Sequence, residues 1–135
     1  MRPQSLVYFD WLYWLALVLS AIGIVLQPAD PELSVAFATS LDVTIFAVTL
    51  FFWYAISLRA SNVMRWIYSV LSGLSLVGTL FLISTSKDLD GVQLSLDALV
   101  SVIDVINVFM LFTPKANDWF ASRGNKGVVD PSVFR

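Results

Sequence analysis

Hydrophobic positions in this chain gather into four long runs separated by short polar breaks. The first covers 6–26 and stops at Gln27-Pro28, and the others cover about 35–58, 63–83 and 92–112. Each is near or above the roughly 20 residues a helix needs to cross a hydrocarbon core. The pattern predicts four transmembrane helices. The first run follows Arg2 as a signal peptide would, but it is too long and Gln27-Pro28 is a poor cleavage site. It is therefore expected to be a retained span.

Polar residues punctuate the ends of these runs. Asp30-Pro31-Glu32 offers an N-cap, a proline at the first helical position and an acid in the first turn. Asp90 with Gln93 three residues on is a capping-box pattern for the fourth span. Thr113-Pro114 opens a short segment, 113–124, whose Trp119 and Phe120 are expected to lie flat on the membrane surface. Residues 125–135 read as a flexible tail behind a membrane domain of 1–124. Connections this short force sequential helices to run antiparallel. The predicted fold is all-α: a transmembrane four-helix up-down bundle with a short C-terminal interfacial helix.

Composition agrees and removes most alternatives. Of 135 residues, 58% are hydrophobic and 13% charged, with a mean hydropathy of +0.79. Soluble domains carry about a quarter charged residues. The net charge of −2 and the scattered basic positions give no footprint for nucleic acid. Cysteine and histidine are both absent. Thiolate and imidazole chemistry, and the usual metal and haem ligands, go with them. No phosphate-binding glycine loop or nucleophile elbow occurs either. The expectation is a non-enzyme with no catalytic residues, no metal site and no cofactor, whose first partner is the lipid bilayer.

Charge also orients the chain. With four crossings, Arg2, Arg59, Arg65, Lys115, Arg123, Lys126 and Arg135 share one side, and only Lys87 falls on the other. The positive-inside rule then places both termini in the cytoplasm.

Inside the spans, polar residues are few and patterned. The fourth, "SLDALVSVIDVINVFMLF", carries Asp97 and Asp104 with no basic residue in the segment. An acid at mid-bilayer costs roughly 2.5–3.5 kcal/mol on insertion scales. At about 100° per residue, Gln93, Asp97, Ser101, Asp104 and Asn107 share about one third of the helix circumference. Asp104 falls near the midplane and Asp97 nearer the outer boundary. The second span offers a facing row of Thr39, Asp42, Thr49 and Ser57. Two accounts fit these rows. Either they line a cation or proton pathway through Asp104, Asp97, Asp42, Asn107, Ser101 and Thr49, or Asp104 is protonated and joins helices through Thr49, Ser72 or Asn107. An aspartyl hydrolase needs two acids face to face, and Asp42 and Asp97 share only their depth.

The third span holds small residues, with Ser69, Gly73 and Gly78 marking a helix-packing face. The aromatics from Tyr8 to Trp14 and around Trp66–Tyr68 read as an interfacial belt. Within that belt Asp10 is expected to pair with Arg59 or Arg65.

The opening "RPQSLVYFDWLYWLALVL" and the closing "LFTPKANDWF" resemble a group of small four-span bacterial inner-membrane proteins of unknown function. The resemblance covers the two ends and the span count. It implies a bacterial inner-membrane location and carries no activity or site residue. Two functional expectations follow. One is a homo-oligomeric cation or proton pathway lined by the fourth span; the alternative is a non-catalytic accessory subunit of a larger membrane complex.

Overall fold

The computed structural model describes residues 2–26, 34–85 and 91–122. The expected flexible tail, the Asp30-Pro31-Glu32 and Asp90 caps, and Lys87 lie outside these residues. Helix α1 is Gln4–Leu26, and α2 is Val35–Trp53, continued by one π-helical turn over Tyr54–Leu58. Helices α3, α4 and α5 are Asn62–Thr85, Gly91–Leu111 and Pro114–Ala121. Four of the five are long and apolar enough to cross a membrane. Ser34 caps α2, its Oγ accepting from the Phe37 N–H. Thr113 caps α5 in the same way, accepting from Ala116 N–H, with Pro114 at the first helical position.

Packing is uneven along the molecule. We call the end where α1 begins, α2 turns into α3 and α4 meets α5 the base. The fully buried side chains Leu6, Phe9, Ile56 and Leu111 lie there, with Trp119 and Phe120 of α5 packed against them. This corrects the flat interfacial placement of Trp119 and Phe120: both rings are inserted into the protein, Phe120 with 2% of its surface exposed. Toward the far end burial falls away on α2 and α3, while α1 and α4 stay in contact as far as Gly23 and Gln93. No residue of Val35–Trp53 is buried, and α3 beyond Tyr68 is largely exposed. Lipid explains the gradient. Hydrocarbon offers no hydrophobic drive for burying Leu against Leu, so a dense apolar core forms only where the chain can exclude water.

Helix α4 packs chiefly against α1 and α3, while α2 makes only slight contact with α3. Among the described glycines, Gly23 of α1 is the one that faces another helix within van der Waals reach. A Cβ there would meet the Gln93 side chain at 3.5 Å and Leu96 at 4.0 Å. Gly73 and Gly78 meet nothing within 4 Å, so within one chain the predicted packing face of α3 faces outward. Ser69 is occupied locally, donating to Arg65 O.

The turn between α2 and α3 is tight because Ala60 adopts a left-handed backbone, φ 50°. That conformation costs an L-residue about 1–2 kcal/mol. The Ala60 methyl is buried in the base, and glycine would leave that space empty. The π-helical turn just before it buries three consecutive residues, Ala55, Ile56 and Ser57. A regular helix on the rim of a bundle would expose one of them. The shift presents Ser57 to α1.

Candidate functional site

Most of the α4 stripe faces the bundle interior, with Asp97 exposed. Gln93, Asp97, Ser101 and Asp104 line a cavity of about 220 Å³ together with Ser20 and Gly23 of α1 and Ser75 and Thr79 of α3. Gln93 Nε2 donates to Asp97 Oδ1 at 3.3 Å, and Ser101 Oγ lies 3.5 Å from Thr79 Oγ1. A second, larger cavity of about 480 Å³ lies on the α2 side and is lined by Tyr13, Thr49, Phe52, Tyr68, Ser72 and Asp104, among others. Ser20, Ser75 and Asp104 border both. Asp104 therefore stands where the two spaces meet.

The partner of Asp104 is Tyr68, whose hydroxyl donates to Oδ1 at 3.1 Å. This replaces the expected Thr49, Ser72 or Asn107. The hydroxyl of Tyr13, the neighbouring ring, donates to the Thr49 carbonyl at 2.8 Å. A carboxylate has about four acceptor positions, and among the described residues Tyr68 fills one of those of Asp104. Tyr13 and Tyr68 are buried, so they do not belong to an interfacial belt; Tyr8, Trp11 and Trp66 are exposed as a belt requires. A spacing signal was present: Leu6, Phe9, Tyr13 and Ala16 recur at three and four residues along one face of α1.

Of the predicted site residues, Asp104, Asp97, Ser101 and Thr49 border the two cavities. Asp42 borders neither, because the far half of α2 stands away from the other helices. Asn107 lies one turn closer to the base. It is 0% exposed and its side chain lies close enough to the Tyr68 hydroxyl to interact with it, although among the described residues neither Oδ1 nor Nδ2 makes a geometrically complete hydrogen bond.

Below Asn107 the base is closed by two polar groups of residues. Arg65 is 6% exposed and sits between the rings of Phe112 and Phe120, with centroid distances of 4.5 and 4.6 Å. Its Nη1 donates to Leu111 O at 3.2 Å and to Asn117 Oδ1 at 2.7 Å. Asp10 pairs with Arg2, at 2.7 Å between Oδ2 and Nη2, not with Arg59 or Arg65. Ser57 Oγ and Trp53 Nε1 also donate to Asp10, at 2.6 and 3.0 Å, and Arg2 bonds Ser57 as well. The reason is direction. Arg65 is turned toward α4 and α5, and Arg59 lies over the Tyr54 ring, 5.8 Å from its centroid.

Among the described residues no three acidic, cysteine or histidine side chains are grouped so as to hold a metal ion. No family model matches the chain, and no curated protein or solved structure is significantly similar to it. What the fold defines is a multi-pass membrane protein of four helical spans enclosing an inward-facing acid.

Proposed function

We propose that the protein carries protons or small cations along α4, with Asp104 as the binding group. The observation that carries this reading is one of position. Gln93, Asp97, Ser101 and Asp104 line a cavity leading from the far end of the bundle to an acid whose hydrogen-bond donor among the described residues is Tyr68. The path is bounded by helices of a single chain. Gly73 and Gly78 are then available for contact between copies. In this reading the base is cytoplasmic, within a bacterial inner membrane, because the basic residues gather there.

Reconstitution into liposomes tests the transport. Wild-type protein should dissipate an imposed proton, sodium or potassium gradient. Asp104→Asn, which keeps shape but removes charge, should slow the flux at least about tenfold, and Asp97→Asn should slow it less. A wild-type protein inert toward all three gradients defeats the proposal. Co-purification of the inert protein with a larger membrane complex would favour the accessory-subunit reading.

Orientation is checked separately. The chain lacks cysteine, and Asn62 and Thr85 are exposed at opposite ends of α3. A membrane-impermeant thiol reagent added to whole cells should label Thr85→Cys and spare Asn62→Cys. The opposite pattern would invert the topology.

A further inference from the structure

The larger cavity is far roomier than a proton or bare ion requires, since a water molecule takes up about 30 Å³. At about 480 Å³ it falls within the range of small-molecule sites, roughly 300–1,000 Å³. It also opens sideways. Ile45, Val48 and Leu71 form part of its lining and are each about half exposed, and the helices that carry them, α2 and α3, scarcely touch. The exposed faces of these helices are those that lipid would cover, so the mouth opens onto the bilayer.

We propose that this chamber binds lipophilic cations: molecules that join a hydrocarbon body to a protonated amine or an onium head. The proposal rests on Asp104 as the cation-binding group and adds the class of cation. Its walls include Leu17, Ile24, Phe46 and Leu71, which suit a hydrocarbon body. Its floor suits a positive head. The rings of Tyr13 and Tyr68 lie 5.7 Å apart at 47°, and those of Phe52 and Tyr68 lie 6.4 Å apart at 51°. Tilted rings form a cup rather than a stack, and aromatic faces attract cations, most strongly where water is excluded.

The hydrogen bonding decides the sign of the ligand. Both tyrosine hydroxyls are already donating, to Thr49 O and to Asp104. The Thr44 and Thr49 hydroxyls donate to carbonyls of their own helix. Among the described residues no Lys or Arg lines the chamber. The donors left for an anion or a carbonyl group are the uncharged hydroxyls of Ser20, Ser72 and Ser75; what the floor offers is a carboxylate and ring faces. The hydroxyls of Ser20, Ser72 and Ser75 can accept as readily as donate.

The test is equilibrium binding of tetraphenylphosphonium to the full chain in lipid nanodiscs, by dialysis, with no ion gradient. Wild-type protein should bind saturably, and neutral triphenylphosphine oxide should bind much more weakly. Asp104→Asn should weaken binding at least about tenfold, and Phe52→Leu a few-fold. Asp42→Asn, on neither cavity, should bind as wild type. If Asp104→Asn does not fold, Val48→Trp at the half-exposed mouth should block entry. The proposal is overturned if wild-type protein does not saturate, if folded Asp104→Asn binds equally well, if the neutral compound binds as tightly, or if Val48→Trp changes nothing. Because no flux is read, loss of binding with ion flux intact rejects the ligand class alone. Binding without flux rejects the pathway alone.

Discussion

Arg65→Ala should destabilise the protein by about 3 kcal/mol or more, the largest single loss expected at the base. Two ring contacts disappear, each worth about 1–2 kcal/mol when shielded from water. The Leu111 carbonyl, at the end of α4 and without an intrahelical partner, loses its donor as well. Part of this is offset, because a buried cation with no carboxylate within ion-pair distance among the described residues carries a desolvation penalty that alanine does not. Arg65→Lys is the informative variant. It keeps the charge near the α4 C-terminus but cannot lie flat between Phe112 and Phe120 while bonding two acceptors. It should recover less than half of the loss. Thermal unfolding of the purified protein in detergent, followed by size-exclusion homogeneity, measures both. Lysine behaving as wild type would show that charge alone matters at this position.

The four spans were legible because hydrocarbon imposes length and apolarity on each helix separately, and both are local properties. The inward stripe of α4 was legible for a similar reason, since one helix turn relates Asp97, Ser101 and Asp104 whatever surrounds them. Choice of partner was not. Asp10 has three arginines within plausible reach along the chain, and the π-helical turn that brings Ser57 and Trp53 to it leaves no mark in the pattern. The Tyr68–Asp104 bond likewise depends on how α3 is rotated against α4. Gly73 and Gly78 meet no other described helix within the chain, because a small residue permits close approach without compelling it. Gly23, at the real crossing of α1 and α4, looked like the weaker candidate.

Arg65, Asp10 and the rings of α5 also give the base a role in the proposed pathway. They join α1, α2, α3, α4 and α5 at one end, directly beyond the point where the polar cavity stops. The dense base stands below both cavities, and the larger of them opens between α2 and α3. Transport through it requires that the barrier between Asp104 and the base rearrange, and the polar residue within that barrier is Asn107.

Asn107→Leu is therefore expected to move stability and function in opposite directions. Two buried amide atoms that make no geometrically complete hydrogen bond among the described residues penalise the folded state by up to about 1–3 kcal/mol each when no water reaches them. Leucine has a similar volume and no polar atoms, so Asn107→Leu should raise the unfolding temperature, by several degrees if the full penalty is relieved. A residue kept only for packing would have no reason to be an asparagine. If instead the amide receives the proton or cation beyond Asp104, the stabilised variant should lose flux in liposomes as completely as Asp104→Asn. Asn107→Asp, which restores a polar and ionisable group, should retain it. A variant that is both less stable and fully active would mean that Asn107 is hydrogen-bonded glue between helices. Loss of stability is thus the outcome that removes Asn107 from the pathway, and gain of stability with loss of flux is the one that places it there.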